Sequence, residues 1–287
     1  MGHKVVGEIA WQQLPPETRK TIADTIKRHP RFAEDFAPEM PADETDRWIF
    51  WQAGFWPDIA RGIPEEVREQ YNHPTWHYVD HPIFLGPERP VDFNLATTPS
   101  GPDKNWNVYQ ATQHSLDILH SDASPQEKAV TYCWLFHLVG DMHQPLHSVA
   151  LVCDRFPTGD KGASILKVAN EKENLHAIWD CLLGDEHKRS DVLRAYHWLK
   201  ADPSLWNVDT TGTVEDWIAE SRELAKTSTY SPEILEAVQR PGEMSPVRLS
   251  EDYLEQAEGI ARARVVAAGL RLAVLLGAEP QAAHESK

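Results

Sequence analysis

With 287 residues, 28 Lys and Arg against 44 Asp and Glu, and 41% hydrophobic with 25% charged residues, the chain has the composition of a globular protein, and collagen, coiled coil and low-complexity disorder are excluded. Its formal net charge of −16 argues against a non-specific duplex-DNA binder, which uses Lys and Arg to displace counterions. Any phosphate site must draw its positive charge from elsewhere.

No repeat, Gly/Ser linker or block of like charge divides the chain, and one domain over residues 1–287 is expected. Met1-Gly2-His3-Lys4 leads straight into an amphipathic pattern, without the apolar stretch and cleavage site of a secretory signal, so the chain as written is not expected to be exported. Helical periodicity runs from Val5 to Leu14 and, after Pro15-Pro16, from Glu17 to His29, ended by Pro30. Another helix is expected from Trp48 to Arg61. Thr75 to Asp80 allows at most a small hairpin, and Pro82 to Pro102 reads as a long surface loop. Further helices are expected over Asn105 to His120, Pro125 to Gly140 and beyond, Asn174 to Leu183, Ser190 to Leu199, Val214 to Thr227 and Leu254 to Leu276, with a second loop from Arg155 to Gly162. The predicted class is mainly α. The longest apolar run, around Val265 to Leu276, contains Arg271 and falls short of the ~20 residues a spanning helix needs, so no membrane contact is expected. Cys133, Cys153 and Cys181 are too few and too far apart for a disulfide framework or a C-x-x-C site; buried free thiols are expected, with one disulfide left open.

P-loop, G-x-G-x-x-G, G-x-S-x-G and H-E-x-x-H patterns are absent. The chemistry lies instead in fourteen histidines, several of them four residues from an aspartate. In the segment Leu135 to His147, His137 and Asp141 stand at i and i+4 of a helix. Their Cβ atoms are then ~5–6 Å apart, close enough to reach one ion through ~2 Å bonds. Pro145 clashes with the carbonyl four residues back, which predicts a bend near Asp141 that turns His147 toward the same pocket. His176 and Asp180 repeat the spacing within Asn174 to Asp180. One such pair alone is more often a surface ion pair. Two of them among Leu, Val, Ile, Trp and Phe imply two metals, because a shared cation removes the cost of burying unpaired charge.

The segment H-x-x-G-D-x-x-Q-P-L-H followed by N-L-H-x-x-W-D resembles the S1/P1 nuclease family, zinc-dependent single-strand nucleases related in fold to zinc phospholipase C. The likeness extends to Gly2 through Ala10, to Phe55-Trp56-Pro57-Asp58 and to Trp76-His77-Tyr78-Val79-Asp80. It implies an all-α bundle with a trinuclear Zn²⁺ site. Matched residue by residue, Asp58, His77, His137 and Asp141 hold one ion, Asp141 bridges to the ion bound by His3, and His147, His176 and Asp180 hold another. Arg61 matches a phosphate-contacting arginine, Tyr78 the aromatic on which a base stacks, and Asp80 the carboxylate at the base edge. Cys153 falls near an apolar residue of the base pocket. His73, His81, His114 and His143 match no ligand position and read as structural or exposed.

The resemblance further implies hydrolysis of single-stranded DNA or RNA to 5′-phosphorylated nucleotides, 3′-nucleotidase activity, a monomer, and a secreted or periplasmic full-length protein. Three Zn²⁺ and the carboxylates of Asp58, Asp141 and Asp180 leave the pocket near about +3, which reverses the sign set by the overall composition. Asp58 orients or deprotonates the attacking water and Arg61 neutralises phosphoryl charge. Two departures stand out. Family members begin at a Trp whose α-amine and carbonyl bind the ion of His3, whereas only Met1 and Gly2 precede His3 here. A start lying downstream of the true one, or a weakened third site, accounts for this. Gly162-Ala163-Ser164 replaces the usual Gly-Gly-Asn, and the family's usual disulfides have no obvious counterpart. The alternatives are a zinc phospholipase C, whose choline-type head group calls for an aromatic or acidic cage rather than the base stacking and base-edge pairing of Tyr78 and Asp80, a non-catalytic zinc-binding protein, and a helical domain merely stabilised by zinc.

Overall fold

Prolines and polar caps set most helix starts. Pro15-Pro16 separates α1 (Gly2–Gln13) from α2 (Pro16–Ile26), proline being suited to a first turn whose N–H has no partner. The short α3 (Phe32–Asp35) is followed by α4 (Thr45–Ala60) and α5 (Glu65–Tyr71). Asn107 and Gln110 form a reciprocal capping box at α6 (Val108–His120), and Ser124 caps α7 (Pro125–Asp141). Asn174 caps α8 (Leu175–Asp180). After α9 (Arg189–Lys200), Thr213 and Asp216 box the start of α10 (Val214–Leu224), and α11 (Pro232–Gln239) and the Ser250-capped α12 (Glu251–Leu275) complete the helices. These come from a computed structural model, which describes residues 1–170 and 172–283. The protein is mainly α, with β1 (His81–Phe84) and β2 (Val149–Val152) as the two named strands among the described residues. No helix there is long and apolar enough to cross a membrane.

The centre of the bundle is α7. Every residue from Cys133 to Val139 is buried, as expected of a helix covered on all sides, and α2, α4, α6 and α12 pack around it. Its core includes Phe50, Trp56, Trp134 and Phe136. A second cluster gathers Leu146, Leu151, Trp179, Tyr230 and Tyr253. The chain passes from the first cluster at Met142 to the second at Leu146, so the functional segment after α7 bridges the two.

Several expectations need correction. Near Thr75 to Asp80 there is a turn rather than a hairpin, and the sheet is parallel, pairing His81 with Val149 and Phe84 with Val152. Alternation within one short segment cannot reveal a partner so far along the chain. The expected loop from Pro82 therefore begins as strand, and is irregular only beyond Phe84. Pro145 does not bend α7: the helix stops at Asp141, and Pro145–Ser148 forms a separate 3₁₀ turn. The helix expected to Leu183 ends at Asp180, and α10 passes at Ala225–Thr229 into a π turn. The segments α3, α5 and α11 had no sequence assignment. All three cysteines are free thiols.

Candidate metal centre

The parallel sheet extends backwards into the site. Val79 N–H donates to His147 O at 2.9 Å, and the His147 Nδ1–H to His77 O at 2.8 Å. This locks the His77–Asp80 stretch against the turn that carries His147. Its extended course buries Val79 and leaves Tyr78, 38% exposed, on the same side as Asp80.

Around Asp141, at the end of α7, four imidazoles converge. His77 Nδ1 and His137 Nε2 stand 2.9 and 3.1 Å from Oδ2, and His3 Nε2 and His147 Nδ1 3.3 and 3.6 Å from Oδ1. Asp58 Oδ1 is 3.9 Å from His137 Nε2, and Asp180 lies 3.7 Å from His147 Nε2 and 3.4 Å from His176 Nε2. The donors fall into three groups, His3–His137–Asp141, Asp58–His77–His137 and His147–His176–Asp180, each with its atoms within 4.8 Å of one another. Two donors ~2.1 Å from one tetrahedral ion are ~3.4 Å apart, so the spacings suit a shared cation.

The hydrogen bonds behind the imidazoles test the fit. His137 Nδ1 faces Gly54 O at 2.8 Å, and His176 Nδ1 faces Gly162 O at 2.7 Å. A carbonyl can only accept, so in the neutral ring each Nδ1 carries the proton, as does that of His147, and each Nε2 turns a lone pair toward a carboxylate. Lone pair against anion is repulsive unless a proton or cation lies between them. The donor set therefore fits a divalent ion with nitrogen and oxygen ligands.

Without an ion, the same geometry displaces the titrations. Burial works against the His147 cation, but Asp141 and Asp180 outweigh it and raise the group to about 9. Burial pushes Asp141 up, yet His137 and His147 hold it well below the carboxylate range. Asp180 is held low in the same way by His147 and His176. Burial brings His77 down to about 4. For Asp80, burial and the charge of Asp160 act together and raise it to about 6.

Arg61 extends over this cluster, with Nη2 3.1 Å from Asp58 Oδ1 and 3.2 Å from His77 Nδ1, and its side chain is 53% exposed. It lines a cavity of about 450 Å³ together with His3, Asp58, Asp141, His147, His176 and Asp180. Tyr78 and Asp80 lie outside that lining. The four histidines that match no ligand position are engaged elsewhere: His73 stacks on Trp76, His81 meets the Tyr109 hydroxyl, His114 sets its edge on Trp106, and buried His143 donates from Nδ1 to Val139 O and accepts from Arg271 at Nε2. Cys153 is buried against Phe156 in the second cluster.

A family model described as S1/P1 Nuclease matches residues 1–279. The chain belongs to the S1/P1 nuclease family. It is thereby a hydrolase acting on ester bonds, with nucleic acid as the substrate class. Endonuclease 2 of Arabidopsis thaliana is 23% identical over 286 residues, 96% of this chain and 88% of that protein. Endonuclease 3 is 26% identical over 196 residues and Endonuclease 4 is 28% identical over 186. These two matches cover 64% and 59% of this chain, and only 58% and 55% of the relatives' lengths.

Family likeness also clarifies the Gly162-Ala163-Ser164 departure. Gly162 has φ +55°, and a Cβ on it would stand 2.3 Å from Leu146 O, so only glycine can offer its carbonyl to His176. Ala163 follows at φ +63°, a left-handed conformation that a glycine adopts without strain. Ser164 is exposed at the cavity rim.

Two residues close to the site had no assigned role. Gln144 donates to Asp180 Oδ1 at 2.9 Å and accepts from Leu146 N–H, so it orients a ligand and starts the 3₁₀ turn; its place inside the recognised motif was the available signal. His187, on the loop before α9, also reaches the cavity, and no spacing pattern points to it.

Proposed function

We propose that the protein is a zinc-dependent phosphodiesterase that cleaves single-stranded DNA or RNA to 5′-phosphorylated nucleotides and removes the phosphate of 3′-nucleotides. The observation that carries this reading is the convergence of three His/Asp groups on Asp141 beside an exposed Arg61 and Tyr78. His3, Asp58, His77, His137, Asp141, His147, His176 and Asp180 would hold three Zn²⁺, the His147–His176–Asp180 group being the most open, with the Asp180 side chain 46% exposed. When bound, the ions supply a water activated near neutral pH and charge stabilisation of the phosphoryl and leaving oxygens.

The chain's own residues do the rest. Asp58, beside the cavity and paired with Arg61, accepts a proton from the attacking water or orients it. The guanidinium of Arg61 neutralises charge developing on the phosphoryl oxygens. The Tyr78 ring stacks the base whose 3′ oxygen leaves, and Asp80 hydrogen-bonds its edge. A base already unstacked reaches Tyr78 without the cost of opening a duplex, which favours single strands. The same pairing of an exposed ring and a carboxylate favours a nucleotide over a phospholipid head group.

The test is hydrolysis of denatured against duplex DNA and of a 3′-nucleotide by the zinc-loaded protein, with zinc content measured by elemental analysis. Turnover of denatured DNA at three zincs per chain is expected. A fully loaded protein inactive on every nucleotide but active on phosphatidylcholine would replace this reading with a phospholipase, and one active on none of them with a metal-binding protein. The family resemblance is also the basis for proposing a monomeric, secreted or periplasmic full-length protein, which sedimentation and fractionation would test.

A further inference from the structure

Phe55 and Asp58 on α4 and Arg61 at its C-cap follow one another at intervals of three residues, so an aromatic ring, a candidate ligand and a candidate phosphate contact form one stripe along the cavity. The ring of His187, an exposed residue, lies on Phe55 with centroids 4.7 Å apart and planes at 28°. This pair is held in place from beneath. The ammonium of buried Lys4 donates to His187 O at 3.2 Å and sits 5.2 Å from the Phe55 centroid and 4.9 Å from that of Trp48. A buried lysine that donates to that loop carbonyl fixes the loop relative to the helix. His187 belongs to none of the three ligand groups.

We infer that the Phe55–His187 stack is a subsite for the base of the nucleotide that keeps the 5′-phosphate, across the scissile phosphate from Tyr78. This rests on the nuclease reading above. The cavity that contains Phe55 and His187 also contains Arg61 and at least one donor from each group, among them Asp58, Asp141 and Asp180, whereas Tyr78 and Asp80 lie outside its lining, so a strand whose phosphate lies over the metal centre meets one aromatic surface inside the cavity and another outside it. An imidazole backed by a phenyl ring offers a planar face without demanding particular base-edge partners, which suits stacking tolerant of sequence.

A 3′-mononucleotide has the base for Tyr78 and the phosphate but no second base, and a dinucleotide has both. The experiment therefore compares, in the zinc-loaded protein, KM for a dinucleotide with Ki of the corresponding 3′-mononucleotide as competitor. His187→Ala is expected to raise the ratio of KM to Ki roughly five- to tenfold, and His187→Tyr, which keeps a ring, to restore it. Phe55→Leu should raise it in the same direction. An unchanged ratio in His187→Ala, or a parallel rise of both constants, overturns the subsite while leaving the nuclease reading intact. If the unaltered, zinc-loaded protein cleaves neither denatured DNA nor the dinucleotide, the nuclease reading has failed and the subsite falls with it.

Discussion

Gly140→Ala separates the metal-centre geometry from ordinary helix energetics, because the two pull in opposite directions. In a helix interior, replacing Gly by Ala stabilises by about 0.5–1 kcal/mol. At position 140, however, the added Cβ would stand 2.5 Å from His3 Nδ1 and 2.9 Å from its Cε1. Non-bonded contact needs about 3.5 Å, so the ring must shift by about 1 Å. It has little room to do so, since one face is stacked on His137 at 3.9 Å. His3 Nε2 then leaves its position 3.3 Å from Asp141, and the His3–His137–Asp141 group loses a donor while His147–His176–Asp180 is untouched. Disturbing the support of one ligand costs roughly 10–100-fold in metal affinity. The assay is retained zinc after equilibration with graded chelator, read beside the rate on denatured DNA. One ion per chain should come off at ten- to hundredfold lower chelator strength, with a matching loss of rate. A titration superposable on that of the unaltered protein, accompanied by a raised Tm, would refute the packing argument.

Three further outcomes are expected. Tyr78→Ala should weaken single-strand binding by about 1–3 kcal/mol with zinc content unchanged; unaltered KM and turnover on denatured DNA would count against base stacking there. In chelated protein, His147 at about 9 lies above the ordinary 6.5, so its stabilisation is complete below pH 6.5 and is lost as pH rises through about 9. The difference is at most about 3 kcal/mol. Loaded protein should behave oppositely, losing metal in acid because ligation needs neutral imidazole, and melts at pH 6.5 and 9 with and without chelator would expose equal slopes if this is mistaken. Finally, Glu220→Gln removes the carboxylate that binds both Arg264 and Arg271, each nearly fully buried, and should lower stability by about 3 kcal/mol in urea unfolding; a change below a few tenths would show that the arginines are satisfied by their neutral partners, the carbonyls, Ser221 and His143.

What was legible in the sequence is what local spacing controls. The i,i+4 pairs His137–Asp141 and His176–Asp180 meet on helix faces, and α2, α7 and α8 start within a residue of the expected Glu17, Pro125 and Asn174, because the physics of a helical turn acts within four residues. Even there the local reading overreached at Pro145, where α7 stops instead of bending: Gln144 N–H takes the Asp141 carbonyl at 2.9 Å and the backbone tightens into 3₁₀ geometry. Residues matched through family resemblance, such as His3, Asp58 and His77, have no neighbouring partner in sequence, and it is the fold that brings them to Asp141. Tertiary structure alone decided that His81–Phe84 runs parallel to Val149–Val152, continuing into the hydrogen bonds that hold His77 and Val79 against His147, and that the loop of His187 folds back onto Phe55. The physical reason is the same in both cases. A parallel strand pair and a loop docked on a distant helix gain their energy from contacts between remote segments, and nothing within a few residues of either partner specifies which segment it will meet.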